Sequence, residues 1–192
     1  MAEPRLYVFA GPNGSGKSTV TNGLYTRLDS LPALYINADE IATKHNMNPL
    51  DAADEAERQR KEALLKGLSF VMETVMSTRN KIDFLRKAKS AGYYVHLEYL
   101  TTQDPDINIA RVRNRVLAGG HDVPAEKVSV RYHRSMSLLK EALGIVDTAR
   151  VYNNSFERPI LIAEKTRDQG IIAYPQPPPS TWSEEKILDL VR

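Results

Sequence analysis

Short apolar segments alternate with longer segments of mixed polarity along most of the chain. Apolar runs rich in β-branched and aromatic residues predict six strands, at residues 6–10, 34–37, 70–73, 93–100, 149–153 and 160–163. Amphipathic spacing between them predicts helices at residues 17–28, 50–68, 80–90, 106–117, 124–143 and 182–191. Strands separated by helices are typical of an α/β fold with a mostly parallel central sheet.

The length and the absence of a linker predict one domain over residues 1–192. Near its end, the prolines of residues 175–179 predict an extended strap, and Thr181 with Glu184 predicts a capping box that opens the last helix. We expect this segment, residues 175–192, to pack back onto the domain.

Composition excludes several classes of function. The chain has no cysteine, which excludes disulfides, thiolate metal sites and cysteine nucleophiles. Its 26 basic and 24 acidic residues give a net charge of +2, which offers no support for nucleic-acid binding by bulk charge. Without a signal-peptide pattern or an apolar run that could cross a bilayer, we expect a cytoplasmic protein with no membrane partner.

A phosphate-binding loop is the strongest motif in the sequence. The residues from Gly11 to Ser18 fit the pattern G-x-x-x-x-G-K-[ST] and lie between a predicted strand and a predicted helix. Lys17 is expected at the β- and γ-phosphate oxygens of ATP, and the Ser18 hydroxyl at Mg²⁺. The motif predicts a P-loop NTPase fold, a three-layer sandwich. The expected nucleotide-binding residues of the loop are Gly11, Pro12, Asn13, Gly14, Ser15, Gly16, Lys17, Ser18 and Thr19.

Carboxylates follow the second and third predicted strands, at the sheet edge where ligands of such folds gather. Asp39 is a candidate to orient an acceptor hydroxyl and accept its proton, or it caps the next helix. Glu73 could order a metal-bound water, contact the acceptor, or be a solvated strand end or ion pair. Thr74, which comes next, is a candidate acceptor contact.

A helical hairpin at about residues 105–140 is predicted to form an arginine-bearing lid. Arg111 and Arg115 share a face of its first helix, and Arg131 and Arg134 share a flank of the second. Closing such a hairpin over a triphosphate would stabilise charge during phosphoryl transfer, whereas a solvated basic face is the alternative. His121 in the hinge loop is expected to be a polar turn residue, and Asn153 to Ser155 could touch the adenine.

The ordered set of motifs resembles the compact branch of the zeta toxin family over roughly residues 5–165. The resemblance rests on the phosphate loop, on I-N-A-D-E-I-A at residues 36–42, on F-V-M-E-T at 70–74, on R-V and R-V at 111–116, on G-G-H-D-V-P at 119–124, on R-Y and R-S at 131–135 and on N-N-S at 153–155. It implies an ATP-dependent kinase fold whose members phosphorylate UDP-N-acetylglucosamine or related UDP-amino sugars. A cognate antitoxin blocks their ATP site.

By motif position, the resemblance gives Asp39 the role of base toward the acceptor hydroxyl. It gives Glu73 and Thr74 acceptor contacts, and Arg115 and Arg131 the transferring phosphate. Arg111 is grouped with the nucleotide-binding residues and Arg134 with the acceptor-binding residues.

We therefore expect an ATP- and Mg²⁺-dependent phosphotransferase that acts on a hydroxyl of a small metabolite, with a UDP-amino sugar as the first candidate and a separate antitoxin as a partner. Lys17, Asp39, Arg115 and Arg131 are the expected catalytic residues, and Ser18 the metal ligand. Three alternatives remain: a kinase of another small metabolite, a polynucleotide end kinase, and a nucleotide-binding switch whose acceptor is water.

Overall fold

The computed structural model describes residues 3–25, 31–174, 182 and 184–191. Within them, the strands are β1 (Arg5–Ala10), β2 (Tyr35–Ile36), β3 (Phe70–Thr74), β4 (Tyr94–Thr101), β5 (Thr148–Asn153), β6 (Ile160–Thr166) and β7 (Gly170–Ala173). The helices are α1 (Lys17–Tyr25), α2 (Ala38–His45), α3 (Pro49–Leu65), α4 (Arg79–Ser90), α5 (Pro105–Leu117), α6 (Ala125–Ile145) and α7 (Glu184–Val191). The predicted strap at residues 175–179 and Thr181 of the predicted capping box lie outside the described residues.

All described strands join one sheet in the order β2-β3-β1-β4-β5-β6-β7. The first five strands of this order pair in parallel, and β6 and β7 extend the sheet antiparallel. The prediction of an α/β fold with a mostly parallel sheet is confirmed. The four-residue strand β7 was not predicted, and the predicted strand at 34–37 has only two residues in the sheet.

The core lies on one face of the sheet, under the helices that follow β2, β3 and β4. Leu6, Val8 and Ala10 of β1 point to this face and pack in one cluster with α3, α4 and α6. Side chains alternate across a strand, so Phe9 and Val71 lie on the opposite face, where they are also buried. Helix α1 packs against β1, and the right-handed crossover rule assigns it to that opposite face.

The parallel pairing brings the carboxyl ends of β1, β3 and β4 to one edge of the sheet. Ala10, the last residue of β1, lies opposite Thr74 of β3 and Tyr99 of β4. The candidate phosphate loop begins at this edge, directly after β1. No helix in the described part of the chain combines the length and the apolar character needed to cross a membrane.

Candidate active site

The loop from Gly11 to Ser18 runs from the end of β1 into the first turn of α1 and has a backbone that requires glycine. Gly11, Gly14 and Gly16 have φ values of 142°, 74° and 92°. A Cβ at Gly11 would collide with the carbonyl of Leu100, and one at Gly14 would lie 2.5 Å from the carbonyl oxygen of Asn108. The close approach of two neighbouring segments, together with positive φ, therefore explains these glycines.

Lys17 is buried at the centre of the loop. Its ammonium donates to the carbonyl oxygens of Gly11 at 2.8 Å and Pro12 at 2.9 Å. Burial lowers the pKa of Lys17, while the carboxylates of Glu73 and Asp39 act against this shift. Both carboxylates therefore lie within electrostatic reach of the Lys17 ammonium.

Glu73 lies beside the start of α1, because β3 pairs in register with β1. Ser18 Oγ donates to Glu73 Oε1 at 2.8 Å, and Tyr35 Oη donates to Glu73 Oε2 at 2.9 Å. The side chain is buried, so the interpretation of Glu73 as a solvated strand end is wrong. Burial and the charge of Glu73 raise the pKa of Tyr35, which keeps its hydroxyl protonated as a donor.

The donor set around Ser18 fits a magnesium ion. Because Ser18 gives its hydrogen to Glu73, the lone pairs of its oxygen are available to a cation, and oxygen is the ligand type that Mg²⁺ prefers. Among the described residues, no group of three or more His, Asp or Glu side chains could hold a metal alone. A magnesium ion at Ser18 would therefore depend on phosphate oxygens for further ligands, as P-loop sites do.

Asp39 lies in the first turn of α2 with its side chain exposed. The helix cap is Asn37, which has an extended backbone with φ of −131° and accepts a hydrogen bond from the Asp39 N–H at 2.9 Å. The alternative that Asp39 caps this helix is therefore wrong. Its carboxylate is open to solvent near Lys17 and available to a substrate.

The predicted lid residues form α5 and α6, and two of their arginines approach the loop. Arg131 Nη1 donates to Asn13 Oδ1 at 3.4 Å, and Arg115 lies close enough for its charge to lower the pKa of Lys17. Arg115 also donates to the carbonyl of His121 at 2.8 Å. Arg111 is half-buried and Arg134 is exposed. The charges of Arg115 and Arg131 are thus brought together at the loop.

The hinge loop between α5 and α6 reaches α2. His121 Nε2 lies 3.4 Å from Thr43 Oγ1, which donates to the backbone carbonyl of Asp39. The hinge loop of the lid therefore contacts the helix that carries the candidate base.

Two asparagines outside the phosphate loop donate hydrogen bonds to its backbone, a role that the sequence did not predict for either. Asn108 of α5 is fully buried and donates to the carbonyl of Asn13 at 2.5 Å, and Asn154 donates to the carbonyl of Ser15 at 2.7 Å. Adenine contact by Asn154 stays a prediction. The Thr74 hydroxyl accepts from the N–H of Met76 at 3.2 Å, within the turn after β3.

A separate concavity of about 530 Å³ lies toward the amino ends of the parallel strands. It is lined by Tyr7 of β1, His96 of β4 and Arg150 of β5, and contains none of the predicted site residues. Ligands of open parallel sheets bind at the opposite ends of the strands, so we place the active site at the loop.

The fold and this site define the class of the protein, a P-loop kinase fold. The loop follows β1, a carboxylate lies on the adjacent strand β3, and an arginine-bearing helical pair contacts the loop. Within that class, the chain belongs to the zeta toxin family, whose family model, described as "Zeta toxin", matches residues 1–166. The resemblance found in the sequence is confirmed.

The chain is similar to a Haemophilus influenzae protein described as uncharacterized. The two are 35% identical over 129 residues, which cover 65% of this chain and 89% of the relative.

Two solved structures share the fold. A complex of AvrRxo1-ORF1 and AvrRxo1-ORF2 with ATP matches with a TM-score of 0.70 and 15% identity, over 90% of this chain and 61% of the other. A structure of the PezAT chromosomal toxin–antitoxin system of Streptococcus pneumoniae matches with a TM-score of 0.62 and 14% identity, over 100% of this chain and 79% of the other. The chain thus spans about three fifths of the first structure's length.

Proposed function

We propose that the protein transfers the γ-phosphoryl group of ATP to a hydroxyl of a small polar metabolite, with a UDP-amino sugar such as UDP-N-acetylglucosamine as the first candidate. The observation that carries the proposal is the hydrogen bond from Ser18 to Glu73 beside the buried Lys17. This arrangement supports a bound triphosphate with its metal. The exposed Asp39 carboxylate supports an alcohol acceptor next to it.

In this proposal, the acceptor oxygen attacks the γ-phosphorus while the bond to the bridging oxygen of ADP breaks. The hydroxyl proton passes to the Asp39 carboxylate late in the reaction. Lys17 exchanges the carbonyls of Gly11 and Pro12 for phosphate oxygens. Arg115 and Arg131 stabilise the charge on the transferring group, and Arg111 and Arg134 bind nucleotide and acceptor respectively.

Magnesium would be held by Ser18 and oriented through Glu73. When bound, it would supply positive charge that neutralises the triphosphate. We also assign acceptor contacts to Glu73 and Thr74, which lie at the end of β3.

The family and its structural relatives support a second protein as a partner of this chain. PezAT is a toxin–antitoxin system, and the AvrRxo1-ORF1 structure is a two-protein complex. We propose that this chain acts as a toxin and is neutralised by a separate antitoxin protein.

The acceptor is tested by incubating purified protein with ATP, Mg²⁺ and a panel of compounds, followed by mass spectrometry. The panel contains UDP-N-acetylglucosamine, other UDP-sugars, UDP alone and an oligonucleotide with a free terminal hydroxyl. We expect the mass of one phosphoryl group to be added to a UDP-amino sugar. Phosphorylation of the oligonucleotide would identify an end kinase instead, and ATP hydrolysis without any phosphorylated acceptor would favour the nucleotide-binding switch.

Two variants separate binding from chemistry. Lys17→Ala is expected to lose ATP affinity, because it removes the buried ammonium at the phosphates. Asp39→Asn is expected to keep ATP affinity and to lose turnover by at least about 100-fold, since general base catalysis typically contributes this much. Calorimetry measures the affinities, and steady-state assays measure the rates. A wild-type rate in Asp39→Asn would remove Asp39 from the mechanism.

A further inference from the structure

A chain of hydrogen bonds joins the phosphate loop to the helix of the candidate base. It runs from Ser18 to Glu73, from Glu73 to Tyr35, and from Tyr35 to Asn37, whose amide donates to Tyr35 Oη at 3.0 Å. Asn37 in turn accepts the backbone N–H of Asp39. Neither Tyr35 nor Asn37 belongs to the functional residues that the motifs identify.

Two groups fix the direction of the hydrogen bonds in this series: the Asp39 N–H, which donates, and the Glu73 carboxylate, which accepts. Asn37 must present its oxygen to the Asp39 N–H, because a backbone N–H can only donate. The amide NH₂ of Asn37 therefore faces Tyr35, whose oxygen accepts there and whose hydrogen goes to Glu73. The carboxylate of Glu73 consequently receives one donor on each oxygen, from Ser18 and from Tyr35, and its plane is fixed from both sides.

We propose that Tyr35 is a positioning residue for the metal end of the site. It holds the Glu73 carboxylate in the orientation that directs the Ser18 oxygen toward Mg²⁺, and through Asn37 it ties that orientation to the start of α2. This inference rests on the proposed function. It adds that the Tyr35 hydroxyl connects the metal site to α2, the helix that carries the candidate base Asp39.

Tyr35→Phe tests the link, because it keeps the ring and removes only the hydroxyl. The primary readout needs no acceptor: calorimetric titration of ATP at several Mg²⁺ concentrations. We expect the Mg²⁺ concentration needed for tight ATP binding to rise about 10-fold to 100-fold, as for other residues that orient a metal ligand. ATP affinity without Mg²⁺ should not change. In a transfer assay, kcat should also fall.

Tyr94→Phe is the matched control. It also removes one tyrosine hydroxyl from a strand of the sheet, and this hydroxyl bonds Thr148 at 2.8 Å, away from the loop. A merely structural role for Tyr35 predicts that both variants lose stability and that neither changes the Mg²⁺ dependence. Equal Mg²⁺ dependence in Tyr35→Phe and wild type would overturn the proposal.

Asn37→Ser provides a second, independent variant. Serine keeps an oxygen that can cap α2 but removes the N–H that donates to Tyr35. We expect a measurable shift in the Mg²⁺ dependence of ATP binding, smaller than that of Tyr35→Phe and at most about 10-fold. If Tyr35→Phe fails to fold, Asn37→Ser tests the proposal instead. An unchanged Mg²⁺ dependence of ATP binding in Asn37→Ser would then contradict the proposed role of Tyr35. Failure of the proposed function is seen separately, as a wild-type protein that binds Mg²⁺ and ATP but phosphorylates no acceptor.

Discussion

At the scale of single residues, Arg131 is the lid arginine with a direct contact to the phosphate loop, through Asn13. A guanidinium offers several donors in a fixed plane, whereas an ammonium is a single point charge. We expect Arg131→Lys to lower kcat by about 10-fold to 1000-fold, the cost of removing one donor to transition-state charge, with a smaller change in ATP affinity. Steady-state kinetics and ATP titration measure the two effects.

Arg113→Lys is the control for this variant, because Arg113 is exposed on α5 and belongs to the same helical pair. If the two variants have equal rates, Arg131 belongs to a solvated basic face, the alternative that the sequence left open.

Residues whose partners are local could be predicted from the sequence, and those with distant partners could not. The phosphate-loop motif identified Lys17 and Ser18 as candidates because it combines both residue types with the flanking strand and helix. Tyr35 bonds a residue 38 positions away, and Asn108 bonds one 95 positions away. Such pairs depend on which strands are neighbours, which no local pattern encodes. Asn37 did carry a local signal, as an asparagine between a strand and a helix.

At the scale of elements, α5 is fixed to the phosphate loop by one buried side chain. Asn108 donates to the Asn13 carbonyl and also contacts the Thr102 hydroxyl. Asn108→Ala would remove this donor from the half-buried Asn13 residue and the contact with the buried Thr102 side chain, so we expect the free energy of unfolding to fall by about 1–3 kcal/mol. Urea unfolding measures this loss. Asn114→Ala, at an exposed position of α5, should lower the free energy of unfolding much less. Equal losses in the two variants would show that the Asn108 contact adds no stability of its own.

Element boundaries were predictable where a cap or a breaker marks them. Asp104 and Pro105 open α5 one residue before the predicted start, with the Asp104 side chain accepting from the N–H of Asp106. The strand β7 gave no comparable signal, because it is four residues long and directly precedes the proline-rich segment. Its pairing with β6, rather than its own sequence, makes it a strand.

At the scale of the whole molecule, the order of the strands builds the site. Since β1 lies between β3 and β4, the end of β1 pairs with Glu73 and Thr74 of β3 on one side. On the other side, the Leu100 carbonyl of β4 lies against Gly11. The sequence predicted an α/β fold, since this follows from alternating strands and helices. It also placed the candidate site at the carboxyl ends of the strands, where the structure puts the phosphate loop. It did not predict that β6 and β7 run antiparallel, because strand direction depends on connections whose paths are not local.

Asp147 lies between α6 and β5, at the opposite end of the sheet from the loop, and bonds residues of α4 and β4. Its carboxylate accepts from Lys89 of α4 at 2.6 Å and from the Val95 N–H of β4 at 2.8 Å. The Arg167 guanidinium, directly after β6, lies 3.8 Å from it. Burial acts to raise the pKa of Asp147, but these donors outweigh it and hold the pKa below its ordinary value. The folded state therefore prefers the ionised carboxylate more strongly than the unfolded state does.

The stability that Asp147 contributes is thus fully present above the unfolded pKa of about 3.9 and is lost as the pH falls through the lower folded pKa. Asp147→Asn should lower the free energy of unfolding by about 1–3 kcal/mol at neutral pH, and the difference from wild type should narrow below about pH 4. Urea unfolding across this range measures the difference, with Asp83→Asn, from an exposed pair with Arg86, as the control. A difference that stays constant with pH would contradict the assignment.

Because Asp147 lies away from the phosphate loop, turnover per folded molecule in Asp147→Asn should equal that of the wild type. This result would separate the stability that Asp147 contributes from the chemistry of the candidate site.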